Sequence, residues 1–147
     1  MLKIYFCGSI SGGRAYAERY REIIRFLKSF GQVPTEHIGD NNLTDTGGEA
    51  FSDNEIYERD MNWLNTADLV VAEVTVPSIG VGFEIGCAVA LNKPVLALFD
   101  ANGRYRLSAM ISGNGRITNR SYRNIHEVEI FLKEFISLHD GDRIPGS

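Results

Sequence analysis

The chain has 147 residues, 44% of them hydrophobic and 23% charged, with a net charge of −4. That length and balance fit one soluble domain able to bury a core without staples. The acidic balance excludes a general binder of nucleic-acid polymers or membrane surfaces, which relies on a basic face, but leaves room for a single nucleotide held by backbone amides. No apolar run approaches the roughly 18 residues of a membrane span. Two cysteines and no signal peptide point to a reduced, cytoplasmic protein. Cys7 and Cys87 have no His or second Cys at ligand spacing, so both read as packing residues, and neither a metal nor another cofactor is expected.

In chain order, Leu2–Cys7 reads as a first strand, with Tyr5 taken alone a strand aromatic. Gly8-Ser9-Ile10-Ser11-Gly12-Gly13-Arg14 leads into a helix and matches neither GxGxxG nor GK[ST]. Its small residues, exposed amides and two hydroxyls serve either as an anion seat at a helix start or as a plain turn. Tyr16, Tyr20, Ile23, Ile24, Leu27 and Phe30 recur at helical spacing over residues 15–30, with Gly31 as C-cap and Gln32–Thr35 as a short second strand. His37 falls at the carboxyl edge of the sheet, as a solvated loop residue or a functional one. Gly39–Ser52 is polar and reads as a long loop, a lid or a disordered segment.

Asp53 is placed as the cap of a helix over Asn54–Asn65, with Ile56, Tyr57, Met61 and Leu64 as its apolar face. Asp60, four residues from both Ile56 and Leu64, falls on that stripe. A carboxylate there needs a partner or a pocket, or else sits at the edge and reaches solvent or a neighbouring Arg.

The densest signal is Val76-Pro77-Ser78-Ile79-Gly80-Val81-Gly82-Phe83-Glu84-Ile85-Gly86, which follows the buried strand Leu69–Ala72. It predicts a strand, a loop and a helix, the transition at which open parallel sheets bind ligands. Glu84 is placed in or next to the first helical turn. It either complements the positive end of the helix or stands in space that Gly80, Gly82 and Gly86 clear for a ligand.

Asn92-Lys93-Pro94 then turns the chain into Val95–Phe99, a strand buried on both faces. Leu107–Ile111 suggests a short helix with Ser108 on its surface, residues 121–123 a weak last strand, and Ile125–Leu138 a final amphipathic helix. The predicted architecture is α/β: a doubly wound, mainly parallel five-stranded sheet of flavodoxin-like or related Rossmann-type order. It forms one domain over residues 1–139, followed by a flexible tail at 140–147.

These stretches together make the chain resemble the 2'-deoxynucleoside 5'-phosphate N-hydrolases, within the wider nucleoside 2-deoxyribosyltransferase family. The resemblance runs from Leu2 to about Leu138. Its most specific parts are Tyr5 to Ile10, Val71 to Thr75, Pro77 to Gly86 and Leu107 to Ile111. It implies hydrolysis of the N-glycosidic bond of a deoxynucleoside monophosphate, with Glu84 as nucleophile at the anomeric carbon, Asp60 assisting proton transfer and Tyr5 holding the reacting groups. That agrees with the logic of a retaining glycosidase.

The same resemblance implies a phosphate seat at Gly8, Ser9, Ile10, Ser11, Gly12, Gly13 and Arg14, with Ser78 and Gly80. His37, Ala109 and Met110 join the substrate site, and Ser108 reaches it from the partner subunit of a homodimer. Ile10 would crowd the 2' carbon and reject ribonucleotides. Ser11 departs from the pattern, standing where close relatives carry an arginine. Two other functions stay open: a deoxyribosyltransferase that passes the sugar to a second base, and a non-catalytic nucleotide sensor.

Overall fold

A computed structural model of the chain describes residues 1–10, 16–39 and 51–140. Five strands, β1 (Leu2–Cys7), β2 (Gly31–Gln32), β3 (Leu69–Glu73), β4 (Val95–Asp100) and β5 (Ile117–Tyr122), pair in the order β2-β1-β3-β4-β5, every pair parallel. Helices α1 (Ala17–Lys28), α2 (Asp53–Thr66), α3 (Ile79–Ala90), α4 (Ala109–Ser112) and α5 (Ile125–Asp140) connect and cover them, with a 3-10 turn at Glu36–Gly39. This is the flavodoxin-like doubly wound order, as expected. Its strand order reverses between β1 and β3, and ligands bind outside the carboxyl ends of the strands at that point.

Side-chain alternation along the strands divides the core in two. Leu2, Ile4 and Phe6 of β1 with Leu69 and Val71 of β3 meet Tyr20, Ile23 and Leu27 of α1 and Leu132 and Phe135 of α5. Tyr5, Cys7, Val70 and Ala72 point the other way, against Leu64 of α2 and Val81, Ile85 and Ala88 of α3. Each large apolar side chain buried in these layers contributes about 1.5–3 kcal/mol. A tyrosine hydroxyl and a thiol are thereby carried into the layer beneath α2 and α3.

Several boundaries differ from those predicted, for identifiable reasons. Helix α1 stops at Lys28 with Ser29 as C-cap. Gly31 is not a cap but the first residue of β2, paired with Leu2. A Cβ there would come within 2.2 Å of the Leu2 carbonyl oxygen, so the close approach of β2 to β1 requires glycine. The second strand is therefore Gly31–Gln32 rather than Gln32–Thr35. Thr35 instead accepts a hydrogen bond from the Phe6 amide on Oγ1 at 2.9 Å, serving β1 where β2 has ended.

Ser52, not Asp53, caps α2, through a reciprocal capping box with Glu55. The last strand is Ile117–Tyr122 rather than 121–123. It lies at the edge of the sheet, where polar Thr118, Asn119 and Arg120 blur the pattern. Helix α5 runs to Asp140, two residues past its predicted end. The tail at 141–147, residues 40–50 of the expected long loop, and Ser11, Gly12, Gly13 and Arg14 lie outside the described residues.

Candidate active site

Ser78 is the N-cap of α3, its Oγ accepting from the Val81 amide at 3.3 Å, which makes Ile79 the first helical residue. Glu84 is thus in the second turn, not the first, and charge–dipole complementarity, which fades within one turn, does not account for it. Residues two apart on a helix point about 200° apart, so Gly82 and Gly86 face away from Glu84. Only Gly80, one turn earlier, shares its face. The expectation that three glycines clear space around this carboxylate is corrected: a Cβ on Gly82 or Gly86 would meet nothing within 4 Å, and both open the other side of the helix.

On its own side, Glu84 faces the Tyr5 hydroxyl and the Cys7 thiol of β1, two donors that favour its charged form. Tyr5 is 1% exposed and Cys7 fully buried. Burial foremost, and then the Glu84 charge, push both groups upward, so each stays protonated and donates. Glu84 itself is pushed up to about 7: burial outweighs the two hydrogen bonds that favour its charged form, and the Asp60 charge adds to burial. Near neutrality Glu84 therefore retains part of its proton beside Asp60, and a carboxyl pair that holds one proton can divide nucleophile and acid roles.

Asp60 projects from α2 with its side chain 24% exposed, and Arg59 Nε and Nη2 each lie 3.0 Å from its Oδ1. It therefore both reaches the neighbouring arginine and bears on the half-buried Glu84 carboxylate. Arg59 Nη2 stands 3.5 Å from His37 Nε2, and the guanidinium lies 4.7 Å over the Trp63 ring and 5.5 Å from that of Phe51. The structure thus brings His37 to Asp60 through Arg59. Sequence reasoning missed Arg59 and Trp63, although their i, i+4 spacing beside Asp60 was a readable sign.

At the end of β1, Ser9 is fully buried with its Oγ unpartnered, while its amide donates to the Tyr20 hydroxyl at 3.1 Å. A Cβ on Gly8 would press on the Tyr20 ring at 3.0 Å. Across α3 from Glu84, a cavity of about 560 Å³ opens between α3 and α4, lined by Ser78, Ile79, Gly82, Gly86, Ser108 and Met110 among others. Ser108 is not a helix-surface residue but the N-cap of α4, its Oγ accepting from the Met110 amide at 3.2 Å. Ser108, Ala109 and Met110 are exposed here and lie on the far side of α3 from the Glu84 cluster.

With this geometry in view, the family model described as nucleoside 2-deoxyribosyltransferase matches residues 4–130. The chain belongs to that family. A 5-hydroxymethyl-dUMP N-hydrolase of Tetraodon nigroviridis is 49% identical over 140 residues, covering 92% of this chain and 98% of its own. The protein of the same name from Danio rerio is 48% identical over 137 residues, covering 91% and 95%. Other relatives at this similarity are named 2'-deoxynucleoside 5'-phosphate N-hydrolase. Among solved structures, a CMP N-glycosidase of Clostridium botulinum superposes with a TM-score of 0.61 at 19% identity, over 90% of this chain and 98% of that one, a likeness of fold.

One further group in this family domain went unread in the sequence. Glu73, at the end of β3 and fully buried, accepts from the Thr75 amide at 2.7 Å, the Thr75 hydroxyl at 2.9 Å and the Tyr122 hydroxyl. Thr75 Oγ1 accepts in turn from the Asp100 amide at 2.8 Å, and the Tyr16 hydroxyl donates to Asp100 at 2.9 Å. This network lashes the start of the loop that delivers Ser78 to β4 and β5.

Proposed function

We propose that the protein hydrolyses the N-glycosidic bond of 2'-deoxynucleoside 5'-monophosphates, releasing the free base and 2-deoxyribose 5-phosphate. The observation that carries this is Glu84, a carboxylate set beside Tyr5 and Cys7 at the switch point of the sheet with Asp60 bearing on it. The names of the relatives at 48–49% identity support it. Glu84 attacks the anomeric carbon, the bond to the base breaks with its electron pair passing to the base nitrogen, and the proton shared by the carboxylate pair moves to that nitrogen by way of Asp60. Water then cleaves the glycosyl ester, leaving its hydroxyl on the sugar and its proton on the pair. Tyr5 keeps the carboxylate oriented.

The 5'-phosphate is seated at the N-terminus of α3 with Ser78 and Gly80, and at the buried Ser9 hydroxyl with Gly8, Ile10, Ser11, Gly12, Gly13 and Arg14. Ser108, Ala109 and Met110 act from the partner of a homodimer. In support, the rim of the α3–α4 cavity exposes apolar side chains no monomer needs: Ile79 is 95% exposed and Met110 81%. Among the described residues no helix is long and apolar enough to cross a membrane, and the reading remains that of a cytoplasmic enzyme.

The test is chromatography of products from each deoxynucleoside monophosphate, its unphosphorylated nucleoside and its ribonucleotide, with and without a second free base. Base release from the deoxynucleotides, lost in Glu84→Ala, is the expected result. Base exchange on unphosphorylated nucleosides would instead make the protein a transferase, and no release from any of them would leave a nucleotide sensor.

A further inference from the structure

Displacement at the anomeric carbon puts nucleophile and leaving base on opposite faces of the sugar. With Glu84 as nucleophile and Asp60 passing the proton to the leaving nitrogen, the proposed function puts the base beside Asp60. There the structure holds Arg59, gripped at Asp60 Oδ1 by two nitrogens at 3.0 Å, laid 4.7 Å over Trp63 and 5.5 Å from Phe51, and only 22% exposed. His37 closes the cluster at 3.5 Å from Nη2. A guanidinium fixed by an ion pair and two rings has lost its freedom before any ligand arrives, which is the condition for selective recognition.

We infer that Arg59 is a base-reading residue, selecting nucleotides whose base presents an oxo group over those presenting an amino group at the same edge. Arginine carries donors only. Against guanine it meets the O6 and N7 acceptors, and against thymine or uracil the O4 acceptor. Against adenine or cytosine it meets an exocyclic amino group, donor against donor. Its positive charge also lies where negative charge gathers on the departing base, so the same contact strengthens as the bond breaks. Asp60 and Trp63 orient the guanidinium rather than read the base.

This rests on the proposed function for where the base lies, so the decisive measurement is binding, which needs no turnover. In the Glu84→Ala background, dGMP, dAMP, dTMP and dCMP are titrated against protein carrying Arg59, Arg59→Gln or Arg59→Lys, with circular dichroism verifying that each variant is folded. The expected result is that dGMP binds more tightly than dAMP, and dTMP more tightly than dCMP, in the Arg59 protein. Each preference shrinks by about tenfold in Arg59→Gln. Arg59→Lys, which keeps the charge but not the planar fork, restores overall affinity and not the ranking. Equal loss for all four nucleotides, or no oxo preference to begin with, would overturn the inference. Failure of the wild type to release base would overturn the proposed function and leave the binding ranking still readable.

Discussion

In the proposed reaction Glu84 is the nucleophile, and its protonation makes the account testable at the scale of one residue. The proposed step needs an ionised nucleophile and one proton still held by the carboxylate pair, so kcat/KM for a deoxynucleotide should fall about tenfold per pH unit above about 7, where Glu84 gives that proton up. A limb centred near the ordinary carboxylate value of 4.5 would contradict the burial of this group. The same shift has a stability consequence of definite sign. The folded pKa lies above the unfolded one, so the contribution of Glu84 is greatest below pH 4.5 and is lost as pH rises to about 7. Glu84→Gln removes that loss. Urea unfolding should find the variant more stable than wild type at pH 8, by up to about 3 kcal/mol, with the difference narrowing by pH 5. Glu84 and Asp60 were legible as candidates because acidic residues stood beside glycines and on an apolar stripe. Tyr5 entered only through the family resemblance and Cys7 only as a packing residue, because both meet Glu84 across about 80 residues of chain, a distance no local pattern spans.

At the scale of elements, the loop from β3 to α3 is held by buried polar groups rather than by packing alone. Glu73→Ala would leave the Thr75 amide and hydroxyl and the Tyr122 hydroxyl without their acceptor, at a cost of about 3 kcal/mol or more. Equilibrium unfolding should show that loss, and a change within about 0.5 kcal/mol would contradict the network's role. Gly31→Ala drives a Cβ into the Leu2 carbonyl and should destabilise the β1–β2 edge, detectable as faster amide exchange at Leu2 and Gln32 with other strands unchanged. Helices were read well from period 3.6, and β1, β3 and β4 from continuous apolar runs. Strand β2 was misplaced because two residues carry no period, and β5 because an edge strand with Thr118, Asn119 and Arg120 resembles a loop. Glu73 escaped notice because a lone acid after an apolar run looks like a strand end in solvent, and only the fold brings Tyr122 to it.

For the whole molecule, the parallel order β2-β1-β3-β4-β5 explains why the proposed reacting groups come from α2, α3 and β1, which meet where the sheet reverses. Alternating elements made that architecture legible, whereas an assembly leaves no period in the chain. What supports the proposed homodimer is instead the exposed Ile79 and Met110 beside the α3–α4 cavity. Met110→Glu should shift sedimentation from dimer to monomer and lower turnover at least tenfold, with the monomer still folded by circular dichroism. A fully active monomer would remove Ser108 from the site. The most direct test of the central claim is to quench the protein rapidly with a deoxynucleotide and weigh it intact. The account predicts a mass increase of one 2-deoxyribose 5-phosphate less water, mapped to the peptide bearing Glu84 and absent in Glu84→Gln. Turnover retained by Glu84→Gln, or an adduct on another residue, would contradict it.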